Sequence, residues 1–265
     1  MKWRGVLADV ARFGVFLLLW QLAAMALDSA FLPPLGEVFR AFADSFIFER
    51  IWSDVVPSIG RMAAGYALAA AVGVGAGLMI GSNWVVRRTT GPVTEFLRAI
   101  PPPALLPFAM LVFGFGLSMK VFVIAIGCVW PILLNTVDGV RGADPMFNEV
   151  ARVYRLDSRS RLRRVVIPAA APQIAVGLRA SLSIALILMV ISEMVASTNG
   201  LGYFVLQAQR TFRLDDMWAG ILMLGIVGFA LNAVFVAGER RVLAWHRGMR
   251  AASDASAEPM EAVSA

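Results

Sequence analysis

The sequence predicts an all-α integral membrane protein with about six transmembrane helices, and three observations support this fold class. Of the 265 residues, 59% are hydrophobic and only 16% are charged, and the mean hydropathy is +0.73. An average soluble domain carries about 25% charged residues. Uncharged stretches of about 20 residues, the length that crosses a bilayer, recur along the chain. Basic residues concentrate in alternate connections between these stretches.

Six stretches are long and apolar enough to span a membrane. They cover roughly residues 13–31, 59–82, 99–117, 120–138, 170–196 and 217–238. The first follows a basic N-terminus, as a signal peptide would, but its apolar run continues without a clear cleavage site, so we predict an uncleaved span. These limits divide the chain into an N-terminal segment 1–12, a membrane domain 13–245 and a small-residue tail 246–265, which we expect to be disordered.

The distribution of Lys and Arg predicts the orientation. If the spans alternate, 17 of the 24 basic residues lie on the side of the N-terminus, five lie on the other side and two lie within spans. Connections rich in Lys and Arg stay in the cytoplasm. We therefore predict that both termini and the basic connection 141–168 are cytoplasmic.

Several features inside the spans have more than one interpretation. Gly73, Gly77 and Gly81 recur every four residues on one helix face, which favours close helix packing. The prolines of "AIPPPALLPF" break a helix, and the break fits a translocation path or a plain entrance to the third span. Arg179 lies in a solute path or extends to the cytoplasmic interface, and Glu193 lines the path or contacts a neighbouring helix.

Several function classes lack the residues they need. The single cysteine, Cys128, cannot form an internal disulfide, and the single histidine, His246, leaves little for a metal site. The phosphate-binding pattern G-x-x-x-x-G-K-[ST] and the hydrolase patterns H-E-x-x-H and G-x-S-x-G do not occur. We predict no catalytic residue, no metal site, no cofactor bound by this chain and no nucleic-acid partner.

The connection 141–168 contains "EVARVYRLDSRSRLRRVVIP", the most basic stretch of the chain. Asp144 is a suitable N-cap and Pro145 suits the first helical turn. Apolar side chains then recur at helical spacing, which predicts a short amphipathic helix through Met146, Val150, Val153 and Tyr154. Such a helix either lies on anionic lipid headgroups or docks in the groove of a cytoplasmic protein.

This stretch resembles the E-A-A loop of importer-type ATP-binding-cassette permeases, in which E-A-A is followed by a glycine and, nine residues later, by I-x-L-P. Val150 stands for the first alanine, and Arg155 stands for the glycine. With arginine there, we expect the turn either to be straighter or to be formed by Leu156–Ser158. The resemblance implies that coupling to an ATPase involves Glu149, Ala151, Val153, Tyr154, Arg155 and Pro168.

The resemblance extends over about residues 31–245, through stretches such as "RAIPPPALLPFAMLVFGFG" and "ISEMVASTNGLGYFVLQAQ". In these stretches the chain is similar to nitrate-, sulfonate- and taurine-type permeases. The resemblance implies a type I importer permease fold in a bacterial inner membrane, working by alternating access. The implied partners are a second permease copy, membrane lipid, a periplasmic solute-binding protein and a separate ATPase that holds ATP and Mg. The implied path or gate comprises Arg179, Glu193, Asn199, Gly200, Leu201 and Gly202.

The resemblance leaves the cargo open. We expect a small anion, an organic sulfonate or a nitrate-like oxyanion, and Arg179 is the candidate for a transient contact with it. The alternative cargo is a thiamine precursor or another small organic solute. A different class, a secondary transporter driven by an ion gradient, needs buried acids as ion sites, and away from the span ends the sequence offers essentially Glu193.

Overall fold

The computed structural model describes residues 2–27, 29, 31–47, 50–143, 146, 149 and 153–245, with side chains from residue 11 onward. All regular secondary structure in these ranges is helical. Ala151 and the predicted tail 246–265 lie outside the described residues. The chain divides into two compact units, described separately: Met1–Gly60 with Val190–Val227, and Arg61–Met189 with Gly228–Ala265.

Aromatic and polar contacts between its helices hold the first unit together. Its helices are α1 (Lys2–Leu27), α2 (Leu35–Phe46) and α9 (Leu201–Arg210), with the beginning of α3 (Val56–Ser82), the end of α8 (Ile167–Ala196) and the first half of α10 (Leu214–Val242). The Trp20 ring meets the edge of Trp218 at a centroid distance of 4.6 Å. Phe46 packs on Phe204 at 5.2 Å and is 1% exposed. Burying such aromatic side chains stabilises a small core.

The second unit contains the remaining part of α3, α8 and α10 together with four further helices. These are α4 (Trp84–Arg98), α5 (Leu106–Phe113), α6 (Leu117–Arg141) and α7 (Ser158–Arg161). Its core follows α6, where Met119, Val123, Ile124, Cys128 and Ile132 are fully buried. The α6 helix is thus the central helix of this unit.

The apolar helices agree with the predicted class but not with every predicted span. Among the described residues, four helices are long and apolar enough to cross a membrane: Ile51–Ser82, Leu117–Arg141, Ser158–Ala196 and Leu214–Val242. Ala11–Leu27 is a shorter apolar helix at the first predicted span. The all-helical, multi-pass membrane class is confirmed.

The predicted third span over 99–117 is not a single helix of that length, and the helix break predicted at its prolines is present. The α4 helix ends at Arg98, a 3₁₀ turn covers Pro102–Leu105, and α5 has only 8 residues. The two helical segments bend by 81° and form at most one broken span. The cause is local, because Pro101–Pro103 supply no backbone N–H donors and cannot continue an α-helix.

Two spans begin with a widened helical turn just before a proline. Residues Ile51–Val55 and Leu162–Val166 form π-helical turns, closed by hydrogen bonds from Val56 to Ile51 and from Ile167 to Leu162. Pro57 and Pro168 follow directly. A proline ring clashes with the carbonyl four residues earlier, and widening the turn relieves that clash. The helix therefore continues through Pro168, and the fifth span starts at Ser158 rather than near residue 170.

The predicted glycine stripe of α3 lies against α6. A methyl group at Gly73 would come within 2.9 Å of Ile132 Cβ, and one at Gly77 within 2.5 Å of Thr136 Cβ. Gly81 faces Val140 in the same way at 2.8 Å, and Gly65, which the sequence reading missed, faces Ile124 at 2.6 Å. These distances leave no room for a side chain, so glycine permits this close helix approach.

Candidate functional site

The connection between α6 and α8 presents apolar side chains to the outside of the second unit. Met146, Glu149 and Val153 have helical backbone. Met146, Val153 and Tyr154 are 65%, 79% and 75% exposed, and Glu149 is also exposed. The three apolar residues were predicted to form one face of an amphipathic helix. Large apolar side chains exposed together outside the apolar helices are typical of contact surfaces.

Arg155 ends this helical segment in a left-handed conformation, with φ of +50°. The expectation of a straighter turn, or of a turn formed by Leu156–Ser158, is therefore wrong. The backbone is thus left-handed at the position where the E-A-A loop motif has glycine. A non-glycine residue in this conformation costs roughly 1 kcal/mol, and the surrounding chain must compensate for that strain.

Asp157 follows as the N-cap of α7 instead of forming the turn. Its backbone is extended, and its carboxylate accepts a hydrogen bond from the Ser160 amide at 3.3 Å. Hydrogen bonds from the Ser160 side chain and backbone lower the pKa of Asp157. A lowered pKa means that the charged cap is fully present above the ordinary carboxyl pKa and is lost as pH falls through the lowered value. The cap is therefore ionised at neutral pH.

The first unit contains a buried polar network at the start of α9. Asp54 and Glu193 are 4% and 0% exposed, and Ser58 is fully buried between them. The Ser58 hydroxyl lies 2.8 Å from both Glu193 carboxylate oxygens and 2.8 Å from the Asp54 carbonyl. Arg50 reaches the Asp54 carboxylate at 3.4 Å and stacks over the Phe204 ring at 4.6 Å.

This network binds the first backbone amides of α9. Gly200 donates to Asp54 Oδ1 at 2.7 Å, Leu201 donates to Ser58 Oγ at 2.9 Å, and Gly202 donates to Glu193 Oε2 at 3.0 Å. The first amides of a helix have no partners within it. Two carboxylates also lie favourably at the positive end of the helix dipole. Each of the three backbone amides at the start of α9 therefore has a side-chain acceptor.

The two glycines in this segment are required by different constraints. Gly200 has φ of +115°, and a methyl group there would lie 2.5 Å from the Glu193 carboxylate. At Gly202 a methyl group would lie 2.4 Å from the Val190 carbonyl oxygen. A larger residue at either position would displace the carboxylate or the helix start. Asn199 is partly buried beside them.

Sequence reasoning named Glu193 and the Asn199–Gly202 segment but missed Asp54 and Ser58. Their four-residue spacing on one helix face, at the start of a predicted span, was the available signal. The structure places Glu193 inside the first unit, where it binds an amide and a hydroxyl. Arg179 lies in the second unit on α8 and is exposed. The neighbouring Leu178 carbonyl accepts a hydrogen bond from Tyr66 at 2.8 Å.

A charged cleft of about 420 Å³ lies in the first unit along α2 and the start of α10. Asp216 is 4% exposed in its wall, where it accepts a hydrogen bond from Ser45 at 3.2 Å and pairs with Arg213. The other charged lining residues are Glu37, Arg40, Asp44, Arg50 and Asp215. Mixed charges at a half-open cleft suit contact with a polar protein surface better than binding of a small apolar ligand.

The repeated apolar helices define a multi-pass integral membrane protein. The family can be stated from sequence comparison. Residues 69–243 match the binding-protein-dependent transport system inner membrane component, and the chain belongs to this family. Its members are permease components of transporters, which agrees with the resemblance noted in the sequence.

Curated relatives cover most of the chain. It is 31% identical to the putative aliphatic sulfonates transport permease protein SsuC of Bacillus subtilis, over 87% of this chain and 84% of the relative. It is 32% identical to the bicarbonate transport system permease protein CmpB of Synechococcus elongatus, over 91% of each. The nitrate import permease protein NrtB of Leptolyngbya laminosa is 30% identical, over 84% of this chain and 82% of the relative.

A solved structure supports the fold. The chain is similar to a chain of the MetNI methionine ABC transporter in inward-facing conformations, with a TM-score of 0.58 and 20% identity. The match covers 71% of this chain and 95% of the other. At this identity the likeness shows the fold alone.

Proposed function

We propose that this chain forms the translocation path of an ATP-driven importer for a small oxyanion, such as an organic sulfonate or nitrate. The observation that carries the proposal is the exposed helical segment around Glu149 and Val153, in a chain that belongs to a transport permease family. The three relatives described above are named for aliphatic sulfonates, bicarbonate and nitrate, which are all small anions. A thiamine-precursor cargo and an ion-gradient-driven mechanism have no such support.

The proposed assembly has two permease copies, a separate ATPase that holds ATP and Mg, and a periplasmic solute-binding protein. The ATPase contacts the exposed face with Val153 and Tyr154, and Arg155 and Pro168 shape the connection. The binding protein contacts the side that carries the charged cleft of the first unit. This arrangement gives the exposed apolar face and the charged cleft each a partner of matching chemistry.

Docking of the ATPase is tested by a charge placed on the exposed apolar face. Val153→Asp is expected to lower co-purification of the ATPase at least about tenfold, because a buried unpaired carboxylate weakens an interface strongly. Phe212→Asp is the matched control, since Phe212 is 77% exposed in the turn between α9 and α10. The measurement is pull-down from membranes with both subunits expressed. Equal retention by Val153→Asp at equal expression would assign the segment to the lipid surface.

The proposal also requires both termini and the Glu149 segment to be cytoplasmic. Ser158 is exposed at the start of α7 and suits a reporter cysteine. In a Cys128→Ala background, Ser158→Cys is expected to react with a membrane-impermeant maleimide only after the inner membrane is opened. The positive-inside distribution of Lys and Arg is the physical reason. Labelling in intact spheroplasts would contradict the orientation and the ATPase contact together.

We assign the outer gate to Asn199–Gly202, held at the beginning of α9. Asp54, Ser58 and Glu193 fix the backbone amides there, and the two glycines allow the close approach. In this proposal Glu193 is a positioning residue, because it holds the gate segment instead of contacting cargo. Arg179 is the proposed cargo contact, because it is exposed on a membrane-crossing helix where an ionised side chain is otherwise costly.

A further inference from the structure

The second unit contains a groove whose lining combines arginines with apolar side chains. Its volume is about 890 Å³, within the range of small-molecule sites. Arg87, Arg141 and Arg161 line it from three different helices, and none of the described residues that line it is acidic. The apolar part is formed by Leu78, Met79, Leu162 and Val165.

The arginines lie at the ends of helices. Arg87 donates from Nη1 to the Gly81 carbonyl at 3.3 Å, near the end of α3. That bond uses one of the five N–H donors of the guanidinium. Arg141 is the last residue of α6 and is exposed. Two cationic groups therefore meet at neighbouring helix ends on the groove wall, with Arg161 from α7 as the third.

We propose that this groove binds an anionic phospholipid, with the headgroup phosphate on the arginines and an acyl chain against the apolar wall. The charge excess selects an anion, and guanidinium groups bind phosphate oxygens in two-pronged geometry. A free phosphate would leave the apolar wall uncovered, whereas an amphiphile covers both parts. The α3 and α8 helices cross the membrane, so acyl chains are at hand, and basic pockets between such helices bind anionic headgroups.

The headgroup contact is tested on the full-length chain purified in a neutral detergent, by native mass spectrometry with added phosphatidylglycerol. Phosphatidylcholine of the same chain length is the neutral comparison. Arg141→Gln is expected to weaken phosphatidylglycerol retention about fivefold, the effect of one basic residue near an anionic headgroup. Arg163→Gln is the matched control, because Arg163 is exposed in the π-helical turn that follows α7 but does not line the groove.

The acyl contact has its own pair of variants on α3. A methyl group at Gly75 would meet no atom within 4 Å, and Gly75 lines the groove. Gly75→Leu is therefore expected to fold normally, to fill the apolar wall and to weaken phosphatidylglycerol retention several-fold. Gly60→Leu is the control, since Gly60 is equally open on the same helix but lies outside the groove.

Four results would overturn the proposal. Equal losses in Arg141→Gln and Arg163→Gln would mean diffuse attraction to a basic surface. Unchanged retention in Gly75→Leu, or release of the lipid by equimolar inorganic phosphate, would mean an anion site without an acyl contact. Equal retention of phosphatidylcholine by the parent would mean no charge selection. Because lipid binding is measured without ATPase or cargo, its failure is distinct from a failure of the transport function.

Discussion

At the residue scale, Arg155 has a left-handed backbone in the segment proposed to contact the ATPase. Its φ of +50° is tolerated by glycine at no steric cost and by asparagine at little cost. Arginine retains the conformation here, so the path of the chain matters more than the identity of the side chain. Arg155 therefore adopts the left-handed backbone conformation for which the glycine of the E-A-A loop motif is suited.

This equivalence predicts the effects of two substitutions that both remove the Arg155 charge. Arg155→Gly is expected to keep solute uptake within about threefold of the parent, because it relieves roughly 1 kcal/mol of strain. Arg155→Val is expected to lower uptake at least about tenfold, because a β-branched residue resists positive φ. Uptake of labelled solute by cells with the whole transporter is the measurement. If Arg155→Gly is as inactive as Arg155→Val, the guanidinium itself makes an essential contact.

At the element scale, the beginning of α9 shows how a short helix is fixed by distant residues. Ser58 precedes its partner Leu201 by 143 residues and its partner Glu193 by 135. Its hydroxyl both accepts from a backbone amide and reaches a buried carboxylate. The loss of such a hydroxyl leaves a buried donor and a buried charge with fewer partners.

Ser58→Ala is accordingly expected to destabilise the first unit by about 1–3 kcal/mol. For a chain of this size that is an apparent melting temperature lower by about 5 °C. The measurement is thermal unfolding of the purified protein followed by intrinsic tryptophan fluorescence. Ser53→Ala is the control, because Ser53 is exposed and donates to Asp54 from the surface. Equal shifts in both variants would show that the buried network does not hold the helix start.

The same element explains what sequence alone could and could not predict. The stripe of Gly73, Gly77 and Gly81 was visible because a four-residue period is a local pattern. Asp54 and Ser58 were missed because their spacing does not reveal their partners Glu193, Gly200 and Leu201, which lie more than 130 residues away. The helix break at the prolines of the third span was predicted because prolines lack backbone donors, but the shortness of α5, with 8 residues, was not.

At the scale of the whole molecule, the net charge of +6 comes mainly from basic residues in alternate connections between the apolar stretches. Most basic residues lie in the connections predicted to be cytoplasmic, where they set orientation, and so net charge does not identify the cargo. Under the proposed function, any contribution of this chain to anion selection comes from individual side chains near the path. Arg179 is the candidate because it is exposed within a membrane-crossing helix, and such a position is costly without a function.

An oxyanion cargo predicts graded effects at Arg179. A guanidinium binds two oxyanion oxygens at once, whereas an ammonium binds as a point charge. Arg179→Gln is expected to lower uptake of a labelled alkanesulfonate about tenfold, equivalent to roughly 1.4 kcal/mol, and Arg179→Lys is expected to lie between. Arg210→Gln serves as the control for lost positive charge, because Arg210 is an exposed arginine on α9. Uptake is measured in cells with the whole transporter, against sulfonate, nitrate and a cationic vitamin precursor as competitors. Equal uptake by all Arg179 variants would leave Arg179 at the lipid interface, and competition by the cation alone would refute the anion assignment.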